Sequence, residues 1–231
     1  MEIQAAIAKV DRFSSTEEGD KVEIIERPKG GFSIILAEGK LEHRRSKAVT
    51  MKAVHTVLNL ISEGIHDGAA SRAVLSNLQV EHSGKVDLSL SLISCDYESG
   101  TVVITKNNPL PVVILQEGQV NFLNLDQDQD LLAENPVVFQ FPLEKEMTFF
   151  LMSDGIFSAG EQTHQTLDLH EIMESLIEDD LPSVEEMTEF VLQQAISRDI
   201  GRPNDDMSVV AVRISPGAES DFRKVSLRIP I

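Results

Sequence analysis

Apolar residues in this 231-residue chain change their spacing in blocks, and the order of those blocks constrains the fold more than any other feature. VEIIE at 22–26 and FSIILA at 32–37 flank Pro28, Lys29, Gly30 and Gly31, whose glycines are free to take positive φ, so the segment predicts a hairpin. Between 46 and 65 the period lengthens: Met51, Val54, Val57, Leu58, Ile61 and Ile65 recur at three and four residues, as on an amphipathic helix. A second helix is expected over 67–80, with Ala70, Ala73, Val74 and Leu78 on one side. Short runs then return as LSLSLIS, TVVIT, PVVIL, 120–123, VVFQF and MTFFLM, each read as a strand.

Helical spacing comes back after Gly155. Asp168 with Glu171, and Ser183 with Glu186 after Pro182, have capping-box spacing, in which one side chain satisfies an orphan amide and the other reaches back. SVVAVRI from 208 and VSLRI from 225 supply closing strands. Helices grouped in this way, rather than placed between every pair of strands, point to an α+β fold of two antiparallel sheets covered by helices and away from a doubly wound parallel sheet.

Carboxylates stand where several of these runs end. Asp20 precedes KVEIIE, Glu38 follows FSIILA and precedes Gly39, Asp154 closes FFLMSD, and Asp205 and Asp206 precede MSVVAV. Any one of them alone reads better as a turn former, because Asp bonds its own backbone. As a set at strand ends, where side chains are held rigidly, they make an oxygen-only site suited to Mg²⁺ or Mn²⁺ rather than to zinc.

The order GD at 19–20, a carboxylate–glycine pair at 38–39, SDG at 153–155 and NDDMSVVAVRI near the end resembles the metal-dependent type 2C protein serine/threonine phosphatases, in particular their bacterial sporulation stage II E and stress-regulator branch. KNNPLPVVIL at 106–115 also looks like that family's Asn-rich, Pro-containing turn between two central strands. The likeness implies a four-layer αββα sandwich. It implies two Mn²⁺ or Mg²⁺ ions held, directly or through water, by Asp20, Glu38, the Gly39 carbonyl, Asp154 and Asp205, with Asp206 ranked after them. It implies a water activated for in-line attack on phosphorus, without a phosphoenzyme, and a phosphoserine or phosphothreonine substrate on a regulatory protein of the anti-sigma or anti-anti-sigma type. Two departures stand out. Glu38 occupies the position where the family has a metal-bridging aspartate, and Lys40, Leu41, Glu42, His43, Arg44 and Arg45 replace the glycine-rich stretch that follows. They motivate a second reading, a degenerate phosphatase that binds a phosphorylated partner without hydrolysing it.

The basic cluster Lys40, His43, Arg44, Arg45 and Lys47 is local in an acidic chain and follows Glu38 directly. Guanidinium forks match phosphate oxygens in two contacts, so one reading of the cluster is a site for a phosphoryl group or an acidic partner. A solvated loop is the preferred account, because charge runs before a helix usually face water.

Composition narrows the alternatives. With 42% hydrophobic residues and no linker-like stretch, residues 1–231 are read as one domain with a sizeable core. A net charge of −18 argues against nucleic acid or an anionic membrane as the main partner. Cys95 is the only cysteine, which leaves neither an intramolecular disulfide nor a thiolate zinc cluster and suits a reducing cytoplasm. The N-terminus has no basic-then-apolar leader pattern, and no apolar run approaches ~18 residues, so neither secretion nor membrane insertion is expected.

Other motifs fail on their own chemistry. Asp126, Asp128 and Asp130 alternate like a calcium loop, yet Leu131 and Val137 stand where glycine and glutamate are required, leaving a solvated loop. Gly39 and Lys40 lack the rest of a phosphate-binding loop, and His164 and His170 form no zinc motif. Ser153 lacks a nucleophile elbow and reads as a strand-end residue.

Overall fold

The computed structural model describes residues 2–13, 19–124, 135–143, 146–178 and 181–215. The acidic run at 126–130 and the strand expected from 225 lie outside them.

The elements follow in the order β1 (Glu2–Val10), β2 (Asp20–Glu26), β3 (Gly31–Leu41), β4 (Arg44–Arg45), α1 (Lys47–Ser62), α2 (Asp67–Glu81), β5 (Val86–Asp96), β6 (Thr101–Lys106), β7 (Val112–Gln116), β8 (Gln119–Leu123), β9 (Val137–Pro142), β10 (Met147–Met152), α3 (Asp154–Phe157), α4 (Leu169–Glu178), α5 (Val184–Arg198) and β11 (Met207–Ser215). One sheet has the order β1-β11-β10-β7-β8; the other runs β2-β3-β5-β6-β9, with β4 paired to the end of β3. Every pairing is antiparallel.

Period-two alternation builds the layers. On β10, Phe149 packs between the sheets while its neighbour Phe150 packs under the helices, and both are fully buried. Burying a side chain of that size is worth about 1.5–3 kcal/mol. Between the sheets lie Ile34, Leu36, Ile93, Ile104, Val210 and Val212. Val54, Val57 and Ile61 of α1 and Val74 and Leu78 of α2 cover one outer face, and Met173, Met187 and Val191 from α4 and α5 cover the other. This is the expected αββα sandwich.

Local details differ from the sequence reading. α1 stops at Ser62 because Gly64 takes φ 87°, and the amides of Gly64 and Ile65 turn back to Ile61 and Leu60, which leaves Ile65 exposed. On α2, Leu75 is buried and Ala73 is exposed. The capping box at Ser183 and Glu186 is complete, and Asp168 accepts from the Glu171 amide. β1 was not anticipated from EIQAAIAKV. Its alanines are small and its side chains only half-buried, so alternation hardly shows, yet it pairs along the whole of β11.

Candidate metal centre

β2 opens on Asp20, and the register sets it directly opposite Glu38 on β3. Alternation from Val22 on one strand and from Ile34 and Leu36 on the other turns both carboxylates into the space between the sheets. They are 4% and 7% exposed. Like charges directly opposite in a ladder destabilise it, so the pair calls for positive charge close by.

The third carboxylate arrives from the other sheet. β10 ends at Met152 and the chain turns through Ser153 into α3, whose first residue is Asp154. One oxygen each from Asp20, Glu38 and Asp154 lies within 4.8 Å of the others. Gly155 permits this approach, since a Cβ there would sit 2.1 Å from the backbone oxygen of Asp206.

Charge crowding is visible in the acidities. Burial pushes the Asp20 carboxyl up to about 7, against a hydrogen bond from Ser208 that holds it down, and the charges of Glu38 and Asp154 raise it further. Glu38 is raised too, by burial first and by Asp154 next, while Lys40 and Arg45 oppose the shift. Asp154 Oδ1 is buried without a hydrogen-bond donor, and Glu38 Oε1 meets only the Lys40 and Arg45 cations, each at 3.3 Å. Converging carboxylate oxygens with no nitrogen or sulfur ligand among them are the set a hard divalent cation prefers. The residues present therefore fit Mn²⁺ or Mg²⁺.

The remaining predicted residues are placed differently. Asp206, 1% exposed, accepts from the backbone amides of Arg12 (2.7 Å), Gly19 and Asp20 (3.2 Å), so it clamps the strand carrying Asp20. Asp205 pairs with the Arg45 guanidinium. The Gly39 carbonyl accepts from the Ser46 amide at 2.8 Å, in the connection to α1.

The basic run is a hairpin rather than a solvated loop. Glu42 and His43 both take positive φ, and β4 folds back so that Arg45 faces Lys40. His43 and Arg44 point to water, whereas Lys40 Nζ lies 3.3 Å from Glu38 and 3.7 Å from Asp154, and Arg45 Nε lies 3.3 Å from Glu38. Burial works against the charged form of Lys40, yet Glu38 and Asp154 outweigh it and hold its pKa above the usual value.

Sequence reasoning missed the hydroxyls and amides around the carboxylates. Ser208 Oγ donates to Asp20 at 2.9 Å, its amide donates to Ser153 Oγ at 2.9 Å, and Ser153 Oγ in turn donates to the Asp206 carbonyl at 3.2 Å. Alternation along β11 was the available signal, since it puts Ser208 on the same face as Val210 and Val212. Asn108, in the turn after β6, bonds Ser91 at 2.8 Å and lines the cleft with Ser89, Ser91 and Leu110.

Residues 44–215 match the family model of stage II sporulation protein E (SpoIIE). The chain belongs to the SpoIIE family. That range contains Asp154, Asp205 and Asp206, while Asp20 and Glu38 precede it. A curated relative, stage II sporulation protein E of Priestia megaterium, is 19% identical over 216 residues, covering 92% of this chain and 36% of its own length. The chain thus spans about a third of that protein. Among solved structures, the phosphatase domain of SpoIIE from Bacillus subtilis superposes with a TM-score of 0.70 at 18% identity, over 99% of this chain and 98% of that one. The catalytic domain of the serine/threonine phosphatase PstP, crystallised with two manganese ions, gives 0.67 at 15% identity, over 93% and 99%. The SpoIIE-family sandwich here has, among its described residues, no helix long and apolar enough to cross a membrane.

Proposed function

We propose that this chain is a metal-dependent protein serine/threonine phosphatase acting on phosphoserine or phosphothreonine of a regulatory protein of the anti-sigma or anti-anti-sigma type. The observation that carries the reading is the convergence of Asp20, Glu38 and Asp154 from two sheets onto one point, with a buried oxygen of Asp154 lacking any donor. A divalent cation bound there supplies positive charge to phosphoryl oxygens and lowers the pKa of a water it binds.

The chain's own groups do the rest. Asp206 fixes the backbone at Gly19 and Asp20, and Ser208 fixes the Asp20 carboxylate, so the cation ligands are preorganised on strand ends. Lys40, about a third exposed beside Glu38 and Asp154, presents N–H donors to a phosphoryl oxygen entering from the cleft mouth. Ser91 and Asn108 line the same cleft, where their polar groups can orient a phosphorylated side chain.

Lys40 and Arg45 also favour the second reading, a phosphoprotein-binding domain without turnover, because they neutralise carboxylates that a catalytic centre would leave to metal. Mn²⁺-dependent hydrolysis of p-nitrophenyl phosphate and of a phosphoserine peptide, measured for the native chain and for Asp154→Asn, decides between them. Metal-requiring turnover that disappears in the variant is the expected result. A folded native chain with no turnover at millimolar Mn²⁺ hands the site to the binding reading.

A further inference from the structure

We propose that Arg45 stands in for a second cation, so that this chain binds one divalent ion, at Asp20, Glu38 and Asp154, rather than two. The inference rests on the metal-site reading above. Its geometry begins with one guanidinium serving three carboxylates: Nε lies 3.3 Å from Glu38 Oε1, one terminal nitrogen meets Asp205 Oδ1, and the other is 3.4 Å from Asp206 Oδ2. Arginine does not lose its proton in proteins, so this positive charge is permanent.

The placement is built into the backbone. Arg45 sits on β4, opposite Lys40 on β3, across the tight turn at Glu42 and His43. Its side chain is 18% exposed, and a Cβ added at Gly19 would come within 3.1 Å of its Cδ, so the stem is packed against the strand that carries Asp20. Asp205 is thereby drawn to Arg45, and Asp206 is already committed to three backbone amides. Asp154 Oδ1 is buried with no hydrogen-bond donor, and its carboxylate groups with those of Asp20 and Glu38, which marks their side of the cluster as the seat of the ion. One divalent ion together with Lys40 balances the charge of Asp20, Glu38 and Asp154. A further ion beside Asp205 would have to displace a guanidinium that no pH change removes.

Mn²⁺ stoichiometry by equilibrium dialysis, with electron paramagnetic resonance to report whether bound ions are magnetically coupled, tests this directly. Expected are one uncoupled ion per native chain, the same single ion in Asp205→Asn, and a second, coupled ion in Arg45→Ala. Two ions in the native chain, one of them lost in Asp205→Asn, would overturn the inference and leave the metal site standing. No ion at all would remove both. A folded Arg45→Ala, checked by circular dichroism, that still binds one ion also overturns it. If that variant does not fold, the native chain and Asp205→Asn decide between one ion and two without it.

Discussion

Replacing Asp20 with Asn should stabilise the metal-free protein at alkaline pH, although it destroys a residue of the proposed centre. Burial raises this carboxyl from 3.8 to about 7. The folded chain therefore holds the proton more tightly than the unfolded chain. The resulting stability is complete below pH 4 and is lost as pH rises through 7. A shift of about 3 pH units at ~1.36 kcal/mol each makes the loss on the order of 4 kcal/mol at pH 8. Asn is nearly isosteric, carries no charge at any pH, and keeps an oxygen for the Ser208 hydroxyl. In EDTA, urea unfolding followed by circular dichroism should show Asp20→Asn close to the native chain at pH 5 and more stable at pH 8 by a large part of that figure. Mn²⁺ at a hundred times its Kd should then add about 2.7 kcal/mol to the native chain and nothing to the variant. A stability difference that is equal at pH 5 and pH 8 would refute the account of Asp20 as a carboxylate buried in wait of a cation.

Three further substitutions probe the surroundings. Lys106 is fully buried, its Nζ has no hydrogen-bond partner, and burial lowers its pKa to about 8, so the folded chain binds this proton more weakly than the unfolded one. Lys106→Met should stabilise by on the order of 3 kcal/mol at pH 7, a gain that fades as pH rises toward 10.5, as thermal unfolding across that range would show. Gly155→Ala sets a methyl 2.1 Å from the Asp206 carbonyl oxygen, so about 1–3 kcal/mol of strain and weaker Mn²⁺ binding are expected from calorimetry. Asp206→Ala strands the amides of Arg12, Gly19 and Asp20, and chemical denaturation should register a loss of about 3–5 kcal/mol.

Legibility in the sequence followed how strongly each feature depends on its near neighbours. Helices with full apolar faces, such as Met187 and Val191 on α5 behind Ser183, and strands of continuous burial, such as MTFFLM, carry their own signal. The carboxylates at 20, 38 and 154 were readable because each marks the end of a run. What only the fold supplies is partnership across distance. The resemblance ranks Asp206 after the other metal ligands, and nothing near it in sequence shows that its carboxylate accepts from amides 186 to 194 residues away. β1 owes its existence to the open edge of β11, a partner two hundred residues distant that alanine-rich alternation does not announce.

Glu38 and the hairpin that follows it form one coupled change. A glutamate reaches farther than the aspartate of the resembled pattern, and here Oε1 lies 3.3 Å from both Lys40 Nζ and Arg45 Nε, cations brought in by the same β3–β4 turn. Shortening the side chain alone would leave two half-buried cations facing a withdrawn carboxylate, and flattening the hairpin alone would leave Asp205 without its counter-ion. Each half is destabilised without the other, since a partly buried charge that loses its partner keeps part of its desolvation cost. Glu38→Asp and Arg45→Ala should therefore be strongly non-additive in chemical denaturation, with the double variant less destabilised than the sum of the singles by about 0.5–3 kcal/mol. Simple additivity would separate the two departures and leave the long side chain of Glu38 without this explanation.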